Sequence, residues 1–380
     1  MLPRKYMLAA LVFALAILSA SAQQSGGRET LVYIGSQADA ILMARLDPTT
    51  GHITYAGQVT NLTRPTWLAI DPKRPILYSV SEIGNYDRNI GSVYSFGIDP
   101  KSGTLKRIGM ASSEGHGPTF LSYDSRVSTL FVAHFGYGRV VAIPVRADGT
   151  LGEATSFQTD YGQGANKAKQ PFAHAHQAIL DPGGHFVLTP DMGTDRIFIY
   201  RYDAASGALS PANTPFFDAG PGTGPRHIVF SPDGRFVFAL TELTAEIRTL
   251  NWDASAGQLR PVQAITINPP DFKGTSSAAE ICISADGRFV YTSNRATNTF
   301  QVFAVDKSTG TLTRIQDIPA EGESPRSFAI DPSGRWMIVG NQFSNTLSVF
   351  AVDQATGKLS HTGPPIKVGL TPVAFAFYQP

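Results

Sequence analysis

A turn signature returns along this chain roughly every 50 residues, the spacing of solenoids, propellers and arrays, and it constrains the architecture before any other feature is weighed. Its stations are Asp47-Pro-Thr-Thr-Gly51, Asp99-Pro-Lys-Ser-Gly103, Ala147-Asp-Gly149, Asp203-Ala-Ala-Ser-Gly207, Asp253-Ala-Ser-Ala-Gly257, Asp306-Lys-Ser-Thr-Gly310 and Asp353-Gln-Ala-Thr-Gly357. A second signal interleaves with it at Asp71-Pro72, Asp124-Ser125, Asp181-Pro-Gly-Gly184, Ser231-Pro-Asp-Gly234, Ser284-Ala-Asp-Gly287 and Asp331-Pro-Ser-Gly334. Asp or Ser opens such a turn by bonding its own backbone, and Gly supplies the positive φ that a hairpin tip needs.

The stretches between tips, such as Arg235-Phe-Val-Phe-Ala-Leu240, Arg288-Phe-Val-Tyr-Thr-Ser293 and Leu347-Ser-Val-Phe-Ala-Val352, have the length and the β-branched or aromatic content of strands. Each repeat therefore holds about four strands, one blade, and the chain is predicted to be all-β: a seven-bladed β-propeller of four-stranded antiparallel blades. The first repeat starts late, at Leu31-Val-Tyr-Ile-Gly35, and the chain ends on an unmatched strand, Pro372-Val-Ala-Phe-Ala-Phe-Tyr378. That last strand is expected to complete the first blade as its innermost member, closing the ring and leaving few free sheet edges. No linker or low-complexity stretch interrupts residues 23–380, which are read as one domain.

Residues 1–22 read as a signal peptide: Arg4 and Lys5, an apolar run over 6–19, then Ala20-Ser21-Ala22 before Gln23. The run is shorter than the roughly 20 residues a membrane span requires, so no stable membrane anchor is expected and the protein is predicted to be exported, periplasmic or extracellular. Loss of Arg4 and Lys5 leaves 29 basic against 30 acidic residues, a balance that gives no electrostatic basis for binding nucleic acid. The single cysteine, Cys282, excludes an internal disulfide and sits between Ile281 and Ile283 as a core residue. A monomer is expected.

Function has to come from side chains that converge, since a propeller can host many activities. Aligning the repeats gives two rings. One, at the start of the innermost strands, holds Thr66, Thr119, His176, Arg226, Ala279, Arg326 and Val373; the other, at the end of the next strands, holds Gln37, Glu82, Phe135, Met192, Glu242, Arg295 and Gln342. Small or apolar residues would satisfy packing there. Instead the fourth to seventh blades bring three arginines, one carboxylate and one imidazole to a common space, where charge is costly unless paired or used. The surplus of arginine points to an anionic ligand, which the guanidinium fork suits. The opposing reading is a set of salt bridges with no chemistry.

Phe172-Ala-His-Ala-His-Gln177, Asp191-Met-Gly-Thr-Asp195, Gly222-Thr-Gly-Pro-Arg-His227, Thr241-Glu-Leu243, Ser293-Asn-Arg295 and Ser324-Pro-Arg326 resemble the seven-bladed lactonase family, which includes 6-phosphogluconolactonases and carboxymuconate cyclases. The resemblance spans essentially the whole mature chain. It implies hydrolysis of a sugar-type lactone, with His176, Arg226, Glu242 and Arg295 as catalytic residues, a small-molecule lactone or anionic sugar acid as partner, and no cofactor. Glu242 is the expected base, Arg226 and Arg295 hold the anionic group or the oxyanion, and His176 passes a proton to the ring oxygen. His174, Arg326, Glu82, Gln342 and Asp191 are expected to contact substrate. Two alternatives remain: a muconate-type cycloisomerase using the same residues, and a non-catalytic secreted binding module acting through outer loops 82–90, 161–170 or 268–278.

His174 and His176, two apart on a strand, would share a face, and Asp191 or Glu280 could join them around a metal; His-x-His alone is too little to predict one. His227, next to Arg226, is expected to face the opposite way, as a packed core histidine. No Gly-x-Ser-x-Gly elbow and no phosphate loop occurs.

Overall fold

The computed structural model describes residues 29–87 and 89–380; the signal peptide expected over residues 1–22 lies outside them. Seven antiparallel sheets follow one another around a ring, with no helix among the described residues. Blade 1 runs, from the inside out, Pro372–Tyr378, Thr30–Ser36, Ala40–Leu46 and Ile53–Asn61, so the C-terminal strand closes the ring as its innermost member. Blades 2 to 7 each run outward in chain order, beginning with Leu68–Ile70, His116–Asp124, Ile179–Leu180, Pro225–Phe230, Ala278–Ile283 and Pro325–Ile330. Blade 7 carries one extra short strand, Ile366–Lys367, paired with Thr346–Val352.

Each sheet is covered on both faces by its neighbours, which is why the second strands are buried along their whole length instead of alternating. Phe186–Asp191, Phe236–Thr241 and Phe289–Asn294 are buried at every position. Seven apolar clusters fill the gaps between blades. Full burial of a Phe or Leu side chain stabilises by about 1.5–3 kcal/mol, so the repeated aromatic at the start of the second strand is a principal tie between blades.

The two turn signals interlock. Gly310 has φ +76, and a Cβ there would lie 2.5 Å from the Phe236 ring of the preceding blade; Gly51 approaches Trp336 in the same way at the closing junction. The arginine after the second type of tip then reaches across to the carbonyls of the first type in the next blade. Arg74 donates to Arg146 O and Ala147 O at 3.0 and 2.7 Å, Arg288 to Ala355 O at 3.2 Å, Arg235 to Lys307 O and Arg335 to Pro48 O. Trp336 Nε1 donates to the same Pro48 carbonyl at 3.0 Å, tying blade 7 to blade 1.

Candidate active site at the propeller axis

The innermost strands begin, and the second strands end, at the same end of the ring, so residues in those slots meet around the axis. In blades 1, 3, 5, 6 and 7 the ladder shifts register at the slot itself: Val373, Thr119, Arg226, Ala279 and Arg326 have no partner across the ladder. A bulge adds one residue to a strand and breaks its alternation, so two consecutive side chains can turn to one side.

The effect is plain at Arg226 and His227. The Arg226 Nε lies 3.0 Å from Glu242 Oε2, and Arg295 Nη2 lies 2.9 Å from Glu242 Oε1. His227, expected to face away, instead joins the same cluster: its Nε2 is 3.1 Å from His176 Nδ1 and its Nδ1 is 2.6 Å from Glu280 Oε1. The bulge between Pro225 and His227 is the physical reason for that correction. Sequence reasoning named His227 only as a packed histidine, which its full burial bears out, and Glu280 only as a possible metal partner, so their place in this cluster was missed. At His227 a proline before the slot was the available signal: Pro118, Pro225, Pro325 and Pro372 stand there, and a residue without an N–H cannot donate to the ladder, whereas blade 6 slips after Ala278 with no such mark before Glu280.

Blade 6 holds both arginines by its carbonyls. Arg226 Nη1 donates to Ala279 O, while Arg295 donates through Nη2 to Ala278 O at 3.2 Å and through Nε to Ser277 O at 3.4 Å. Arg226 is nearly sealed, its side chain 3% exposed, whereas Arg295 and Glu242 reach solvent at 13% and 20%. Burial and the nearby Arg295 push the Arg226 guanidinium down to about 9, which leaves it charged at neutral pH. Burial alone would raise Glu242; Arg295, Arg226 and Arg326 outweigh it and hold the carboxylate below its usual range.

Burial, then the charges of Arg226, His227 and Arg326, push His176 well below the ordinary imidazole value. Burial likewise lowers His227 against the opposing pull of Glu280. Both rings are neutral at pH 7, and among the described residues no hydrogen bond reaches the His176 Nε2, the Nδ1 being the nitrogen that meets His227. Arg326 is half-buried and, among the described residues, makes neither an ion pair nor a hydrogen bond. Burial and Arg295 lower it, while Glu82 and Glu242 act in the opposite sense.

Glu82 and Gln342 stand in the ring beside these charges. Glu82 Oε1 accepts from Asn85 at 2.6 Å, and its Oε2 is buried without a partner. Gln342 donates to Gln37 at 2.7 Å, joining blades 7 and 1. His174 and Asp191 share no hydrogen bond or ion pair with the cluster and form the wall behind it. The His174 ring stacks on Phe135 at 4.2 Å and donates to the Phe135 carbonyl at 2.6 Å. Asp191 Oδ1 accepts from the His174 backbone N–H and from Thr194 Oγ1, each at 3.0 Å. No group of three or more His, Cys, Asp or Glu side chains among the described residues is disposed to hold a metal.

A family model described as lactonase, seven-bladed β-propeller, matches residues 31–377. The 6-phosphogluconolactonase of Bacillus subtilis (strain 168) is 30% identical over 299 residues, covering 79% of this chain and 83% of that protein. The 6-phosphogluconolactonase of Pectobacterium carotovorum is 34% identical over 239 residues, covering 63% and 68%. The solved structure of a periplasmic gluconolactonase from Pseudomonas aeruginosa superposes with a TM-score of 0.85 at 32% identity, covering 92% of this chain and 99% of that one.

Proposed function

The chain belongs to the seven-bladed β-propeller lactonase family, and on that premise we propose that its axial site hydrolyses a sugar lactone with these residues in defined roles. The observation that carries the reading is a neutral imidazole at His176, its Nε2 free among the described residues, beside two arginines clamped on one carboxylate and a third arginine, Arg326, that has no partner among the described residues.

Hydrolysis needs a base for water, compensation for the oxyanion and a proton for the departing ring oxygen. His176 Nε2 takes a proton from water as the hydroxide oxygen bonds to the lactone carbonyl carbon. The resulting oxyanion faces the Arg226 and Arg295 side. When the ring C–O bond breaks, the alkoxide takes that proton back from His176, and the hydroxy acid leaves with atoms and charge balanced.

Glu242 was the expected base from sequence. With two guanidiniums within 3.0 Å its carboxylate is a weak proton acceptor, so we assign it to holding Arg226 and Arg295 side by side against their mutual repulsion. We assign Arg326 to binding the substrate's distal hydroxyl or anionic group. His174, Asp191, Glu82 and Gln342 shape and support the site.

We further propose export. The motif over residues 1–22 and the likeness to a periplasmic gluconolactonase support it, and an exported enzyme would meet unphosphorylated lactones. Intact-mass analysis of material from a secreting host should place the mature N-terminus at Gln23; a retained Met1 would remove this support. The activity itself is tested by following acid release from a panel of phosphorylated and unphosphorylated δ- and γ-lactones, corrected for spontaneous opening. Turnover of at least one sugar δ-lactone is expected. Hydrolysis of none, with the protein folded, would leave a binding module.

A further inference from the structure

Three side chains from three successive blades form a single file ending at the proposed base. Glu280 of blade 6 meets His227 of blade 5, which meets His176 at the approach to blade 4. The end of the file is fixed. Glu280 Oε1 also accepts from the Ile281 backbone N–H at 3.1 Å, and Oε2 lies 3.4 Å from the Ser327 hydroxyl. The His227 ring is held edge-on by Trp67 at 5.3 Å and Phe120 at 5.5 Å, and the His176 ring by Phe135 at 6.0 Å.

Direction in this file follows from what each group can do. A carboxylate only accepts, so the 2.6 Å contact requires the proton on His227 Nδ1. A neutral imidazole carries one N–H, so His227 Nε2 is then a lone pair. The 3.1 Å contact in turn requires the proton on His176 Nδ1. His176 is thereby left with its lone pair on Nε2, the nitrogen free of protein partners. In general the hydrogen bond at one ring nitrogen sets the state of the other, and here the setting passes through two rings.

We propose that Glu280 and His227 are positioning residues that hold His176 as the Nδ1–H tautomer, so that its Nε2 is always ready to accept a proton from water. The inference rests on the reading of His176 as the base. When His176 becomes cationic during turnover, the Glu280 carboxylate balances that charge through His227, against the opposing charges of Arg226 and Arg326 that also bear on both rings. The recurrent bulge has a use in this light: it lets Arg226 serve the oxyanion while the next residue serves the base.

The test is two-bond proton–nitrogen correlation of the histidine rings in the full mature protein, read beside kinetics. Wild-type protein should show both His176 and His227 as Nδ1–H tautomers at pH 7; a proton on His176 Nε2 would overturn the proposal. Glu280→Leu should release the tautomer and lower kcat by about 10²-fold or more, the scale of general-base catalysis, with KM changed far less. Glu280→Gln keeps an acceptor oxygen, so it should retain the tautomer while moving the acid limb of kcat to lower pH. If Glu280→Leu fails to fold, the wild-type and Glu280→Gln spectra still decide. Failure of the underlying reading looks different: His176→Gln would keep full activity while the wild-type tautomers stand as described.

Discussion

Arg226 and His227 are consecutive in the chain, yet both reach the same axial cluster, one pairing with Glu242 and the other with Glu280. A regular strand forbids this, because neighbours point to opposite faces. The bulge at the start of the blade 5 inner strand is what packs two functions into one dipeptide.

Loss of the arginine should therefore act on chemistry more than on folding. Arg226→Ala removes a charge that the proposed mechanism sets against the oxyanion, and it should lower kcat/KM by about 10²–10³-fold, the usual effect of deleting one such donor. Glu242 keeps Arg295 at 2.9 Å and some solvent, so it is not stranded. Thermal unfolding beside steady-state kinetics checks this; a large fall in Tm with normal kcat/KM in the folded fraction would reverse the assignment.

The pH profile separates the two candidate bases. As the proposed base, His176 must act unprotonated, and burial with the nearby arginines holds it well below the ordinary imidazole value, so kcat/KM should be level around neutral pH and fall only on acidification. Because Glu242 is assigned to orientation, Glu242→Gln should lower the plateau yet leave the acid limb in place. Disappearance of that limb in Glu242→Gln would return the base role to Glu242.

Behind the site, Asp160 and Asp191 are both buried and each has an oxygen without another hydrogen-bond partner. Burial, with the neighbouring Asp191, raises Asp160 well above the ordinary carboxylate value. A raised folded value means the native state holds the proton more tightly than the unfolded chain, whose Asp titrates near 3.9. Stability should accordingly decline as pH rises from about 4 through the folded value, the sign expected when the native state binds more protons. Asp160→Asn, which keeps an acceptor for Tyr200 and supplies a donor toward Asp191, should flatten that decline. Urea midpoints at intervals between pH 4 and 8 provide the check; an unchanged slope in the variant would contradict the assignment of that proton to Asp160.

The repeating turn gives a stability prediction remote from the site. Gly310→Ala forces a side chain into a positive-φ position against the Phe236 ring and should cost about 1–3 kcal/mol, with kcat/KM of the folded protein unaltered. Chemical denaturation measures the first part and lactone hydrolysis the second.

How much of this was legible beforehand differs by feature. The ring, its number of blades and its closure by Pro372–Tyr378 were legible, because turns need Gly, Asp and Ser in fixed order and the fold multiplies that need sevenfold. Arg226, Glu242 and Arg295 were legible because charge in a slot where packing prefers small residues stands out when repeats are aligned. Glu280 was glimpsed only as a metal ligand, and His227 was assigned to the wrong face. Strict alternation was assumed where the ladder slips, and the only mark of a slip is the proline before it in blades 1, 3, 5 and 7, with none in blade 6, where Ala278 stands. His174 and Asp191 sat in the right segment, but their stacking and hydrogen bonding behind the cluster depend on Phe135 and Thr194, contacts that no spacing rule supplies.

The most direct test of the account is the initial rate of glucono-δ-lactone opening, corrected for the spontaneous reaction, in wild-type protein and in His176→Gln. The account predicts clear catalysis by the wild type and a rate at or near background for the variant, with matching circular dichroism and Tm. Equal catalysis by both folded proteins would contradict it.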